Sequence, residues 1–213
     1  MIRHQLFYLL CLVIFVDLGC TSHHEQQFKT LTTWKEMRER NVVIQRFDFS
    51  CGTGSLATLM KYYFGDNVTE LMLIEDILNS LAETAVTDRQ EKGLSLLDLK
   101  CSAERRGYQA YAVILKLDAL YKIDQPILVY LETNEFKHFV VFRGIKGGRV
   151  FLADPSQGNI RMPVRRFLEK WDKGIALVLY KEGFTPALDY PLSIKSFFRP
   201  ELLTARSSLF FTP

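Results

Sequence analysis

The sequence has few cysteines and histidines, and most of them lie near its N-terminus. Of 213 residues only four are Cys and four are His, and five of these eight occur within the first 24 residues. A chain of this length buries enough apolar surface to fold without disulfides or metals. The two cysteines and one histidine that remain lack the clustered spacing of zinc ligands, so neither a metal nor a cofactor is predicted.

The sequence also lacks an excess of charge of either sign. Lys and Arg number 27 against 24 Asp and Glu, which gives a net charge of +3, and no dense basic block is present. A nucleic-acid partner is therefore not predicted. With 48% hydrophobic residues and no internal repeat, the composition is typical of one globular domain and excludes a disordered chain.

Only the N-terminus carries a long apolar run. Residues 6–16 form a run of 11 apolar residues that follows Arg3 and ends at Asp17. A membrane-spanning helix needs about 20 apolar residues, whereas the apolar core of a secretion signal needs only about 7–15. Residues 1–20 are therefore predicted to be a secretion signal, and the mature protein to be periplasmic or membrane-anchored on the extracytoplasmic side.

Two outcomes of signal processing stay open at Cys20. The pair Gly19-Cys20 resembles a bacterial lipoprotein processing site, in which the cysteine becomes the acylated first residue. Such sites usually have Leu three residues before the cysteine, and Asp17 stands there instead. The alternatives are a lipid tether to the membrane through Cys20 and simple cleavage nearby. A buried N-terminal helix is disfavoured, because no polar stripe interrupts the apolar run.

Three segments in the first half of the body have the apolar spacing of amphipathic helices. The segments 52–64 and 71–81 carry apolar residues three and four positions apart. Ser95, with Asp98 three residues later, predicts a capping box at the start of a third helix that ends at Gly107. The polar residues 21–40 before these helices are interpreted as a leader.

The second half has the character of β-strands separated by turns. Gly147-Gly148 predicts a tight hairpin turn, and a helix is predicted over 164–171. Strands are predicted at 108–115, 126–131, 138–143, 149–153, 160–163 and 175–180. Helices followed by antiparallel strands predict an α+β fold with the helices packed on a sheet, in a domain over 41–182. The tail 183–213 has no predicted role.

Cys51 is the candidate nucleophile. It stands at the start of the strongest amphipathic helix, where unpaired backbone N–H groups and the helix dipole stabilise a thiolate. Gly52 and Gly54 are predicted to let a substrate backbone approach closely. The alternative for a cysteine at this position is a small buried apolar residue.

His138 and Asp154 are the candidate base and its orienting acid. The hairpin through Gly147-Gly148 places the start of one strand beside the end of the next, so these two residues are predicted to lie side by side. A carboxylate in that position fixes the imidazole and supports its charged form. The alternative for Asp154 is a turn residue before Pro155.

Two further residues need an interpretation. Gln45, six residues before Cys51, is a candidate donor to an oxyanion, as amide side chains are in such sites. Cys101 lies in a helical segment and is predicted to pack in the core. The alternative is a disulfide between Cys101 and Cys51, which would silence the nucleophile.

Three stretches of the chain together resemble the C39 peptidases. They are residues 45–65, the run His-Phe-Val-Val-Phe at 138–142 and the run Leu-Ala-Asp-Pro at 152–155. C39 peptidases are papain-like cysteine proteases, best known as the N-terminal domains of bacteriocin-exporting transporters. The resemblance covers roughly 40–182, and its order and spacing make it more specific than an isolated Cys/His pair.

The resemblance implies a papain-like fold and a role for four residues. Cys51 matches the nucleophile, His138 the base, Asp154 the orienting acid and Gln45 the oxyanion residue. The family implies cleavage of a peptide bond after a small-residue, often double-glycine, leader. Standalone exported members occur beside bacterial surface-fibre systems, including the functional amyloid system of Pseudomonas. This chain resembles the protease of that system.

The sequence departs from the family pattern in three respects. Ser50 stands directly before the nucleophile, where the family usually has Asp. The chain shows no transporter helices and no phosphate-binding loop, so it is not expected to drive export with ATP. The predicted secretion signal also separates it from transporter-linked members, which work on the cytoplasmic side, and puts double-glycine specificity in doubt.

The predicted function is that of an exported cysteine peptidase. Its partners are predicted to be a secreted or surface-fibre protein as substrate and a component of a secretion system. One alternative is a non-catalytic peptide-binding or chaperone module that holds an extended peptide. Another keeps the thiol chemistry but acts as an acyl transferase or amidase on isopeptide or cell-wall bonds.

Overall fold

The computed structural model describes residues 32–132, 137–171 and 173–194. The predicted secretion signal, Cys20 and the end of the predicted tail lie outside the described residues. The elements, in chain order, are α1 (Trp34–Glu39), α2 (Cys51–Tyr62), α3 (Glu70–Ser80), α4 (Glu83–Lys92), α5 (Leu96–Arg105), β1 (Gln109–Ile114), α6 (Leu117–Leu120), β2 (Ile127–Glu132), β3 (Lys137–Lys146), β4 (Arg149–Asp154), β5 (Gly158–Pro163), α7 (Val164–Leu168) and β6 (Ile175–Tyr180).

The strands form one antiparallel sheet with the order β1-β6-β2-β3-β4-β5. Helices α2, α3 and α5 pack on one face around Leu56, Leu73 and Leu99. The opposite face is covered by a second apolar cluster that includes Phe167 of α7 and Trp171. The predicted α+β fold is confirmed, and short helices add a layer on the second face.

Helix α2 is buried on all sides rather than on one. Nine consecutive residues, Gly52–Met60, are buried, although the apolar spacing predicts a single apolar face. Hydroxyl groups on its other faces satisfy neighbouring backbone: Ser55 Oγ donates to the carbonyl of Phe139 at 2.9 Å, and Thr58 Oγ1 accepts from Val43 N–H at 2.8 Å. These bonds attach β3 and the segment before α2 to the same helix.

The other predicted elements are found within a few residues of their expected bounds. The capping box of α5 is present, since Ser95 N–H donates to Asp98 Oδ2 at 2.7 Å and Asp98 N–H donates to Ser95 Oγ at 3.2 Å. Helix α4 has no buried residue, so its sequence needs no apolar periodicity. Without that periodicity the sequence does not predict a helix there. Helix α1 lies within the predicted leader and is capped by Thr33.

Strand β3 contains a β-bulge at Arg143. The hairpin register pairs Gly144 with Phe151 but Phe142 with Leu152, so Arg143 is an extra residue in β3. Gly144 follows with a φ of 142°, which favours glycine. Residues that pair across two strands have their side chains on the same face of the sheet. A shift of the register by one residue moves every later side chain of one strand to the other face. The bulge therefore puts Asp154 on the same face as His138 instead of the opposite one.

Arg143 also fastens the C-terminal part of the described chain to the sheet. Its buried guanidinium donates to the carbonyls of Leu192 at 2.7 Å, Pro191 at 3.3 Å and Ser193 at 3.2 Å, and to Asn159 Oδ1 at 2.5 Å. Burial lowers the pKa of Arg143 to about 10, so the guanidinium stays charged at neutral pH. Residues 191–193 of the predicted tail are thus bound to the sheet by this side chain, while Leu192 also packs in the core.

Arg143→Met is expected to lower the free energy of unfolding by about 2–4 kcal/mol, because several buried carbonyls lose a charged donor. Arg149→Met, at an exposed position of the same hairpin, is the matched control and is expected to change it by less than about 0.5 kcal/mol. Urea denaturation of both variants measures the difference. Equal stabilities would show that Arg143 does not hold the segment.

Candidate active site

Cys51 is the first residue of α2 and lies half-buried at the helix N-terminus. The first helical turn begins with the carbonyl of Ser50, which accepts from Gly54 N–H at 2.9 Å. No side chain caps this terminus. The unpaired backbone N–H groups of the first turn therefore remain free to face negative charge beside the sulfur.

His138 lies between Cys51 and Asp154. Its Nε2 donates to Asp154 Oδ1 at 3.0 Å, and a hydrogen bond with the Cys51 side chain contributes to the raised pKa of the ring. The prediction that the hairpin brings His138 and Asp154 side by side is thus confirmed. The three residues form one continuous chain of hydrogen bonds.

Asp154 is held by the turn that follows it. Its Oδ1 accepts from the backbone N–H of Ser156 at 2.8 Å, from the Ser156 hydroxyl at 2.7 Å and from Gln157 N–H at 3.1 Å. Burial raises the pKa of Asp154, but the hydrogen bonds to His138 and Ser156 outweigh burial and leave the pKa below its ordinary value. The carboxylate is therefore ionised and rigidly placed.

The environment of His138 favours its charged form. Burial by itself lowers the pKa of His138, but hydrogen bonds with Asp154 and Cys51, and the charges of both groups, raise the pKa to about 9. The imidazole is largely enclosed, with 13% of its side chain exposed. A protonated imidazole between a carboxylate and a thiol is the arrangement that stabilises a thiolate.

Gln45 lies beside the first turns of α2. Its backbone N–H donates to the carbonyl of Pro155 at 2.8 Å, which ties it to the turn after Asp154. Its side-chain Nε2 donates to the carbonyl of Phe47 at 2.9 Å, and Oε1 is buried without a hydrogen-bond partner. The opposite amide orientation would set the Gln45 amide oxygen against the Phe47 carbonyl oxygen, so this contact fixes the position of Nε2. The amide nitrogen carries a second N–H that this contact does not use.

Gly52 and Gly54 do not face an open substrate path, contrary to the prediction. Both are buried. A Cβ added at Gly52 would lie 2.9 Å from Leu99 Cδ1, and one at Gly54 would lie 2.9 Å from Pro155 Cβ and 3.3 Å from the carbonyl of Val43. Gly54 therefore allows the turn after Asp154 to pack directly on α2.

Helix α1 supports the Asp154 turn from outside. The Arg38 guanidinium donates twice to the carbonyl of Gln157, at 2.9 and 2.6 Å. Gly158, with a φ of 79°, leaves room for the carbonyl of Arg38, which would lie 2.5 Å from an added Cβ. Residues that the sequence places in a leader thus brace the orienting acid.

Several supporting residues were not predicted. The contact between Ser156 and Asp154 could have been predicted from the sequence Asp-Pro-Ser-Gln-Gly, because serine two residues after aspartate is typical of such a turn. The buried pair of Ser50 and Glu70, described below, carried none. Cys51 and Cys101 are both free, so the alternative disulfide is not formed.

Other candidate features do not coincide with this site. A cavity of about 700 Å³ lies near the opposite end of α2, lined in part by Tyr63, Phe64, Tyr111 and Phe184. Within the described ranges, no three or more His, Cys, Asp and Glu side chains are grouped as a metal site. In the same ranges, no helix has the length and apolarity needed to cross a membrane.

Comparison with known families decides the assignment. The model of the Peptidase C39 family matches residues 39–183, which include all four candidate residues. The chain belongs to the Peptidase C39 family. It is therefore a cysteine peptidase, in agreement with the resemblance that the motifs carry.

Similar proteins support the same assignment. The chain is 32% identical over 160 residues to a probable functional amyloid protease of Pseudomonas fluorescens, FapD, covering 75% of this chain and 69% of that protein. It is 31% identical over 182 residues to the FapD of Pseudomonas aeruginosa, covering 85% and 76%. The peptidase domain of Streptococcus ComA, a bifunctional transporter, has the same fold, with a TM-score of 0.56, 20% identity and coverage of 66% of this chain and 98% of that domain.

His138 is expected to titrate with an apparent pKa of about 9 in an NMR titration of its imidazole signals, assigned by comparison with His138→Gln. Because this value exceeds the ordinary 6.5, protonation stabilises the fold. That contribution is full below pH 6.5 and is lost as the pH rises through about 9. An apparent pKa at or below 6.5 would contradict the described hydrogen bonds.

Gly54→Ala is expected to destabilise the protein by about 1–3 kcal/mol, although alanine favours helices, because Pro155 and the carbonyl of Val43 cannot both retreat. Gly52→Ala is the matched control, since its closest neighbour is the flexible end of Leu99. Chemical denaturation should rank Gly54→Ala below Gly52→Ala. The reverse order would show that the turn after Asp154 is not packed against α2.

Proposed function

We propose that the peptidase hydrolyses its substrate by a Cys-His-Asp mechanism. The observation that carries the proposal is the placement of His138, which is hydrogen-bonded to Asp154 at 3.0 Å through Nε2 and also to the Cys51 side chain. In this mechanism Cys51 is the nucleophile, His138 the proton carrier and Asp154 the group that orients the ring.

The reaction has two stages. The Cys51 thiolate attacks the carbonyl carbon of the scissile bond, His138 gives its proton to the leaving amine, and a thioester forms on the sulfur. Water then attacks the thioester, with His138 taking a proton from it, and the released Cys51 sulfur regains its charge. Asp154 stays ionised throughout and stabilises the imidazolium.

Gln45 and the Cys51 backbone N–H are proposed to form the oxyanion hole. The contact with Phe47 uses one N–H of the Gln45 amide and leaves the other for the substrate oxygen. Backbone and amide donors held in place before the reaction stabilise the developing negative charge without further reorganisation. Phe47, exposed and stacked on Phe49 with ring centroids 5.5 Å apart, offers apolar surface beside this position.

The proposed substrate is an exported protein that forms surface fibres. Two relatives carry the name functional amyloid protease, and both are matched over more than two thirds of their length. The predicted secretion signal at 1–20 supports a location in the periplasm or on the extracytoplasmic side of the membrane. A tether through Cys20 or cleavage near it is consistent with that location. A component of the fibre-secretion system is the proposed partner.

Cys51→Ala is expected to abolish cleavage of a fibre-forming protein from the same organism, because no nucleophile remains, while the fold is retained. Cys101→Ala, at the other free cysteine of the described chain, is the matched control and should cleave normally. Mass spectrometry of the products identifies the cleaved bond and separates hydrolysis from acyl transfer. Cleavage by purified Cys51→Ala protein would refute the mechanism.

A further inference from the structure

A buried carboxylate that the proposed reaction does not use lies next to the nucleophile's turn. Glu70 is the first residue of α3 and is only 3% exposed. Among the described residues it forms no ion pair, and its Oε2 has no hydrogen-bond partner. Burying a carboxylate without a cation is costly, so its position needs an explanation.

The second oxygen of Glu70 holds the turn that precedes Cys51. Glu70 Oε1 accepts from the hydroxyl of Ser50 at 2.5 Å and from the backbone N–H of Arg46 at 3.0 Å. These two donors stand at the two ends of the turn 46–50. One carboxylate oxygen therefore fixes the turn at both ends.

The same turn carries both parts of the reacting site. Ser50 is fully buried and directly precedes Cys51, and its own carbonyl begins the first turn of α2. The carbonyl of Phe47, inside the turn, accepts from Ser50 N–H at 3.2 Å and from Gln45 Nε2 at 2.9 Å. A movement of the turn would displace the nucleophile and the oxyanion donor together.

We propose that Glu70 is a positioning residue, which acts through Ser50 and the backbone of Arg46 to set Cys51 and Gln45 for the reaction. The inference rests on the proposed function, since it assigns Glu70 to the same site. Glu70 touches neither the substrate nor the sulfur in this account. Its contribution is to hold the turn in place, because a displacement of the reacting groups by about 1 Å strongly lowers the rate of the reaction.

Three variants test the proposal. Glu70→Leu removes the acceptor, and Glu70→Gln keeps an acceptor oxygen. Ser50→Ala removes the hydroxyl, and with it both the bond to Glu70 and the hydroxyl's contacts with the Phe47 N–H at 3.2 Å and the Phe47 carbonyl at 2.8 Å. Glu75→Leu, at an exposed position of the same helix, is the matched control. Each is assayed for kcat and KM on the substrate, with the folded fraction measured by circular dichroism.

Glu70→Leu is expected to lower kcat by about 10- to 100-fold with little change in KM, because the loss is in the reacting geometry rather than in substrate binding. Glu70→Gln should restore kcat to within about threefold of the wild-type value, since its oxygen accepts the same two bonds. Ser50→Ala should lower kcat by about three- to tenfold. Glu75→Leu should leave both constants unchanged.

Two results together would overturn the positioning role. Ser50→Ala and Glu70→Gln would both keep the wild-type kcat per folded molecule, and Glu70→Leu would either keep it as well or fail to fold. A loss of kcat in Glu70→Gln equal to that in Glu70→Leu would overturn the hydrogen-bond explanation. These failures differ from failure of the proposed function, because there the wild-type protein would not cleave or Cys51→Ala would still cleave.

Discussion

One extra residue in strand β3 determines where the orienting acid lies. Without the bulge at Arg143, Asp154 would lie on the opposite face of the sheet from His138, and the bond of 3.0 Å between them could not form. The bulge also turns a buried guanidinium toward the carbonyls of Pro191, Leu192 and Ser193. The register of one hairpin thus places the orienting acid and contributes to the attachment of the C-terminal segment.

Helix α2 is the element against which the parts of the site are aligned. Its buried hydroxyls hold β3 through the carbonyl of Phe139 and the preceding segment through Val43, while Gly54 admits the turn that holds Asp154. Polar residues inside a core are costly unless every hydrogen bond is made, and here they specify a single arrangement. The parts of the site are therefore aligned by polar contacts as well as by apolar packing.

Much of this arrangement follows from the sequence because local patterns encode it. The capping box at Ser95 and the hairpin at Gly147-Gly148 depend on short-range chemistry, and that hairpin brings the start of β3 beside the end of β4, although the contact between His138 and Asp154 also needs the bulge. The bulge could not be predicted, because five consecutive residues of β3 are buried, so the strand has no alternation from which its register could be inferred. Glu70 was missed for a related reason: a glutamate that opens a helix is ordinarily solvated, and only tertiary contacts bury it.

The central claim is that Cys51 performs the cleavage, and stoichiometric alkylation tests it most directly. In a Cys101→Ala background, which leaves one free cysteine in the described chain, cleavage of the fibre-forming substrate is measured against the fraction of Cys51 modified, quantified by peptide mapping. The account predicts a linear loss of activity that reaches zero when every Cys51 is modified. Cleavage that persists at complete modification would contradict it.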